Sequence, residues 1–246
     1  MNQLKLTANL NRYYDMNKQI NIQQAIEKIP SGASIMVGGF GSPGTPFTLI
    51  NELLRQGQKH LTLVKNDANE VSIGISKLIE NKQVDKLITT HIGLNRKVIE
   101  MMNQKNIEVE FHPQGILAEK IRIAGSGCFG FLSDIGIDTE ITEPSQLIEW
   151  EGKRLKVESA LNADFSLIHA AQSDHFGNLV YNATAINFSP LMAMAADHTI
   201  VEAANLVKPG ELVPESIHTP SAFVSSIVYL DSLGDEYSVM EHHFER

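Results

Sequence analysis

Gly38-Gly39-Phe40-Gly41-Ser42-Pro43-Gly44 lies between a short apolar run, Ser34-Ile35-Met36-Val37, and a helix start at Thr45-Pro46. Glycine lets backbone N–H groups approach a ligand closely, and the N-terminus of a following helix favours negative charge. A diphosphate or a thioester carbonyl would both suit such a turn. The Gly-Lys-Ser/Thr of a P-loop is missing, and Pro43 and the third-glycine spacing depart from a dinucleotide fingerprint. A tight strand–helix turn with no ligand fits the same residues, so the loop alone leaves both readings open. Other reactive residues offer less. Cys128 has no neighbouring His or Lys to activate it and reads as inert. His91, His112, His169 and His175 have no metal-ligand spacing, and no metal is expected. Glu119 stands beside Lys120 and Arg122 and reads as an ion-pairing residue. The cluster around Met192 and Met194 reads as a buried helix.

Such a loop needs a scaffold. Ile22, Ile26 and Ile29 repeat at helical spacing and stop at Pro30-Ser31-Gly32. Thr45 is placed as an N-cap, Pro46 as the first helical residue, and Gly57 as the end of an apolar-faced helix. Strand-like runs follow at 61–64, 87–89, 109–111, 165–169 and 199–201. Helical patterns lie at 71–79, around Leu94 to Met102, and at 117–123. Gly125 to Gly130 reads as a loop, and Glu140 to Lys156 as an edge excursion. The alternation predicts an α/β fold, a mainly parallel sheet with helices on both faces. Ligands collect beyond the carboxyl ends of such strands, where Gly38–Gly44, Asn66–Ala68 and Pro113–Gly115 all fall. Residues 1–16 read as a flexible lead-in, 17–229 as one domain and 230–246 as a tail without a catalytic role.

The 246 residues carry a net charge of −9, which disfavours nucleic acid and anionic membrane as partners. An anionic ligand would have to be held by local donors rather than by the field of the whole molecule. One cysteine allows no intrachain disulfide. The first residues carry no signal-peptide core and no run has the length of a membrane span, so the cytoplasm is the expected location.

Joined to the rest of the chain, the loop becomes more specific. Ile35 to Pro46 resembles the opening motif of the α subunit of family I CoA-transferases. Six further segments resemble that family in the same order. They are Leu63-Val64-Lys65-Asn66-Asp67-Ala68, His91-Ile92-Gly93, Pro113 to Arg122, Gly177 to Tyr181, Asn187-Phe188-Ser189-Pro190 and Gly210 to Pro220. Together they span about Gln19 to Val228. Gly44-Thr45-Pro46 and Lys65-Asn66-Asp67-Ala68 are most similar to the acetate/acetoacetate type. His169 stands where the family commonly has an arginine, so no role resting on that arginine carries over.

The resemblance implies an open α/β fold and the transfer of CoA from an acyl-CoA to a short-chain carboxylate. The nucleophile is a glutamate that becomes a glutamyl-CoA thioester. In two-subunit members it belongs to the β subunit, within a Ser-Glu-Asn-Gly motif that does not occur in these 246 residues. A β-subunit partner in an α2β2 assembly is therefore expected, with coenzyme A as substrate and no permanently bound cofactor. By the same resemblance, Gln114 helps form an oxyanion hole, Asn66 lines the cleft, and Gly38 to Gly44 bind CoA. Structural alternatives stay open: Gln114 as a helix cap and Asn66 as an Asx-turn. Two other functions remain in view. A sugar-phosphate isomerase of the same broad fold would need Asp67 as its base. An effector-binding sensor would keep the pocket, although the basic helix-turn-helix usual in such sensors is absent.

Overall fold

The computed structural model describes residues 17–238; the lead-in and residues 239–246 lie outside them. In chain order the first elements are α1 (Ile22–Glu27), β1 (Ser34–Val37), α2 (Phe47–Gln56), β2 (Leu61–Val64) and α3 (Ile75–Glu80). Next come β3 (Val84–Thr89), α4 (Arg96–Asn103), β4 (Glu108–Phe111), α5 (Gln114–Gly125) and β5 (Gly130–Ser133). After them lie β6 (Leu147–Trp150), β7 (Lys153–Ser159), β8 (Ala163–Ala170), β9 (Gln172–Asp174) and β10 (Leu179–Val180). The last are α6 (Ser189–Ala195), β11 (Ala196–Ala203), β12 (Leu206–Val207) and β13 (Ser226–Tyr229).

Seven strands form one wholly parallel sheet in the order β13-β11-β8-β1-β2-β3-β4. Its central strands β1 and β2 are nearly continuous apolar runs because both faces are covered, whereas β4 at the edge alternates Glu108 and Glu110 with Val109 and Phe111. Ile35, Val37, Leu61, Leu63, Leu87, Leu167 and Ile200 point to the face packed by α1 to α4. Met36, Val64, Ile88, Ile168, Val201 and Ile227 point to the face packed by α5 and α6. α5 and α6 approach closely because Gly125 has no side chain; a Cβ there would lie 2.6 Å from Met194 Cβ. The Met192 segment is the buried helix expected of it. None of the helices among the described residues is long and apolar enough to cross a membrane.

Several local expectations change. Thr45 does not cap α2; Pro46 holds the N-cap position, and Thr45 Oγ1 donates to the Gly41 carbonyl at 2.6 Å. Gly57 does close α2, in the left-handed conformation at φ 78°. The helix expected over 71–79 begins only at Ile75, because Ser72 and Gly74 take positive φ. Asn69 Oδ1 accepts the Ile75 N–H at its start. The stretch from Glu140 to Lys156 forms much of a separate antiparallel sheet, β5-β7-β6. Glu151 and Gly152, both at positive φ, make the two-residue turn between β6 and β7. Beyond Tyr229, Leu230 is buried and Tyr237 packs against the core face covered by α1 to α4.

Candidate active site

Glycine at the end of β1 is needed twice over. A Cβ on Gly39, at φ 102°, would meet Thr45 Oγ1 at 2.2 Å, and one on Gly38 would meet Ser189 Oγ at 2.9 Å. The loop is tied down by its own amides. Gly38 N–H donates to Leu167 O at 2.9 Å, Gly39 N–H to Asn187 Oδ1 at 3.2 Å and Phe40 N–H to Pro43 O at 3.1 Å. Gly41 N–H reaches Asp67 Oδ2 at 2.7 Å. Thr45 N–H bonds Ser42 O, and Asn187 Nδ2 bonds Pro43 O, each at 3.0 Å. Four consecutive amides are therefore committed inside the protein. Gly44 is buried, whereas Ser42 and Pro43 are half-buried and the Phe40 ring is exposed.

Beneath the loop, Lys65 is fully buried at the end of β2. Its Nζ donates to the carbonyls of Gly38, Gly39 and Gly41 at 3.3, 2.9 and 3.4 Å. Burial pulls its ammonium down from 10.5 to about 8, with the Asp67 charge pulling the other way. Burial pushes the Asp67 carboxyl upward, but Lys65 and hydrogen bonds from Gly41, Asn66 and Asn69 outweigh it, so its pKa ends below the ordinary value. Asp67, rather than Asn66, makes the Asx-turn, accepting Asn69 N–H at 2.9 Å.

Asn66 is wholly buried between two strand ends. Its carbonyl accepts from Thr89 Oγ1 at 3.0 Å, Thr90 Oγ1 at 2.7 Å and Thr90 N–H at 3.1 Å. Its Nδ2 donates to Asp67 Oδ2 at 3.0 Å, which leaves Oδ1 facing Gln114, whose Nε2 donates to it at 2.7 Å. Gln114 opens α5 after Pro113 and does not cap it. The structure thus brings Asn66 and Gln114 into contact and joins Asn66 through Asp67 to the glycine loop. Gln114 and Phe40 line one cleft of about 350 Å³ with Gly115, Ala118, Asn187, Phe188 and Leu191. Gly41 and Ser42 line a smaller one with Asp67 and His91. The cleft beside Gln114 is walled by uncharged side chains. Amide donors held in place beside such walls stabilise negative charge on a bound oxygen.

A family model described as Coenzyme A transferase matches residues 19–230. The chain belongs to the coenzyme A transferase family. It is 45% identical over 212 residues to the probable coenzyme A transferase subunit alpha of Bacillus subtilis, covering 86% of this chain and 93% of that protein. It is 43% identical over 211 residues to the acetate CoA-transferase subunit alpha of Escherichia coli, covering 86% and 96%. Among solved structures, an acyl-CoA transferase from Escherichia coli O157:H7, in a thioester complex with CoA, superposes with a TM-score of 0.79 at 22% identity. That likeness covers 90% of this chain, which spans only 49% of the other.

Within this CoA-transferase fold, sequence reading missed the groups that hold the loop in shape. Lys65, Asp67 and Asn187 each lie inside segments that carry the resemblance. Nothing in the linear pattern says that a lysine at a strand end turns under a neighbouring loop. Cys128 is exposed.

Proposed function

We propose that this chain is the alpha subunit of a two-component CoA-transferase, moving CoA from an acyl-CoA to a short-chain carboxylate of the acetate/acetoacetate kind. The observation that supports it most is the pair Asn66–Gln114. A primary amide carries two N–H donors. Gln114 spends one on Asn66 Oδ1 and keeps the other for a ligand oxygen. Asn66 cannot turn away, because its own amide is held by Asp67 and its carbonyl by Thr89 and Thr90. The donor is thus oriented before a substrate arrives, as oxyanion stabilisation requires.

In this reading a glutamate of a β subunit attacks the donor thioester at a cleft shared by both chains, in an α2β2 assembly. Negative charge grows on the carbonyl oxygen as the tetrahedral intermediate forms, and Gln114 donates to it. The loop Gly38, Gly39, Phe40, Gly41, Ser42, Pro43 and Gly44 holds part of the CoA ester. Coenzyme A is a substrate, no cofactor is permanently bound, and the assembly works in the cytoplasm. An isomerase reading is disfavoured by Asp67, which is 5% exposed, hydrogen-bonded on both oxygens and held ionised beside Lys65.

Co-purification with a candidate β subunit, followed by acetyl-CoA formation from acetoacetyl-CoA plus acetate, tests the proposal. Activity is expected from the pair and not from this chain alone; an inactive pair or an active lone chain refutes it. Gln114→Ala in the assembled enzyme should lower kcat about 100-fold to 1,000-fold, the range for an oxyanion donor.

A further inference from the structure

Lys65 has no contact with either cleft, yet it is the most heavily engaged cation near them. Burying an ammonium is costly, and buried ion pairs replaced by apolar groups often leave stability unchanged or improved. Stability alone therefore does not account for a lysine here. Its Nζ gathers the Gly38, Gly39 and Gly41 carbonyls, and Asn69 Nδ2 and Thr45 Oγ1 reach the same Gly41 oxygen at 2.8 and 2.6 Å. In a planar trans peptide the carbonyl of one residue and the N–H of the next point in opposite directions. Drawing the Gly41 carbonyl inward therefore turns the Ser42 N–H outward, beside the small cleft that Ser42 lines with Asp67 and His91. The amides of Gly38 to Gly41 are spent on protein acceptors, whereas that of Ser42 meets none among the described residues.

We infer that Lys65 is a positioning residue: by holding the Gly41 carbonyl inward it aims the Ser42 N–H at an oxygen of the bound CoA ester. The inference rests on the CoA-transferase reading above. Ser42 N–H then grips the ester in the ground state and the transition state alike, away from the reacting carbonyl that Gln114 serves. Loss of such uniform binding raises KM and spares kcat.

The test uses the assembled enzyme with Lys65→Met. KM for the acyl-CoA should rise about tenfold, as for one lost hydrogen bond to a charged or strongly polar group, with kcat within about threefold of wild type. Lys65→Met leaves the Asp67 carboxylate without its cation, so Lys65→Met/Asp67→Asn is measured beside it and compared with Asp67→Asn alone, because Asp67 also accepts from Gly41 and Asn66. A folded Lys65→Met with wild-type KM, or with only kcat lowered, overturns the inference, as does a double variant whose KM equals that of Asp67→Asn. Calorimetric Kd values for acetyl-CoA separate this inference from the function on which it rests. If the wild-type pair binds acetyl-CoA but transfers no CoA, the function fails, and an unchanged Kd in the variants still refutes the role of Lys65. If the wild-type pair binds none, both fall.

Discussion

Two kinds of polar residue meet at this site, and only one of them is legible in a sequence. Asn66 and Gln114 stand two and three residues beyond strand-like runs that end at Val64 and Phe111, so the rule that ligands gather beyond strand ends finds them without coordinates. Lys65 and Asp67 flank Asn66, but a buried charge is recognised only by what surrounds it. The lowered ammonium of Lys65 has a consequence for stability. The unfolded chain keeps this proton up to about pH 10.5, whereas the folded chain releases it from about pH 8. Between those values unfolding takes up a proton, so the contribution of Lys65 to stability rises with pH and is lost as pH falls through 8. Urea unfolding of wild type and Lys65→Met at pH 7.5 and pH 10 should show it, because groups common to both proteins cancel in the comparison. The wild type should gain on the variant by up to roughly 3 kcal/mol over that window. An equal response of the two proteins would mean that Lys65 does not titrate there.

The strands and helices were the readable part, because a sheet covered on both faces writes itself as apolar runs separated by glycine and polar turns. The side sheet was less readable, since β7 turns Lys156 and Glu158 inward, where they pair with each other at 2.9 Å, and Glu158 reaches Lys120 at 3.1 Å. An alternation whose charged side faces the protein defeats the inside–outside rule. Thr45 was misplaced for a related reason. A threonine before a helix has two uses for its hydroxyl, and here the Gly41 carbonyl claims it rather than an amide of α2. That choice makes the β1–α2 connection a single braced unit. Gly39→Ala should therefore damage the unit as a whole. The new Cβ would sit 2.7 Å from Thr45 N as well as against its hydroxyl, at a φ that alanine rarely adopts. A loss of roughly 2 to 4 kcal/mol in stability is expected, together with weaker acyl-CoA binding. Wild-type melting and wild-type KM in that variant would show that the loop has room the structure does not give it.

Across the whole molecule, the site is also tied to the chain beyond the end of the family match at residue 230. Tyr237 stacks edge-on to Phe47 at 5.2 Å, and its hydroxyl meets Thr48 N–H at 2.9 Å, Thr48 Oγ1 at 2.8 Å and the Glu202 carboxylate. Glu202 is wholly buried at the end of β11 and also accepts from Leu49 N–H at 2.9 Å, with His169 Nδ1 at 2.8 Å. The position where an arginine was expected thus holds a histidine that joins this cluster. Glu236 adds contacts to Lys77 and Asn51 at 2.8 Å. The segment Asp235–Ser238 therefore bridges α2 and α3 to the end of β11, at the carboxyl end of the sheet from which the glycine loop departs. Burial, with Glu202 beside it, keeps the Tyr237 phenol protonated as a donor well above its ordinary range. Tyr237→Phe keeps the ring and withdraws that donor from a buried carboxylate, at a cost of roughly 1 to 3 kcal/mol. For a chain of this length that is a fall in Tm of about 2 to 12 °C, and removing everything from Asp235 onward should lower it further. Because this bridge touches neither cleft, turnover of the assembled Tyr237→Phe enzyme well below its Tm should stay within about twofold of wild type, as for any change confined to stability. An unshifted melting curve would mean that the segment rests on α2 without holding it. A lost turnover at full stability would place Glu202 and His169 in the chemistry instead.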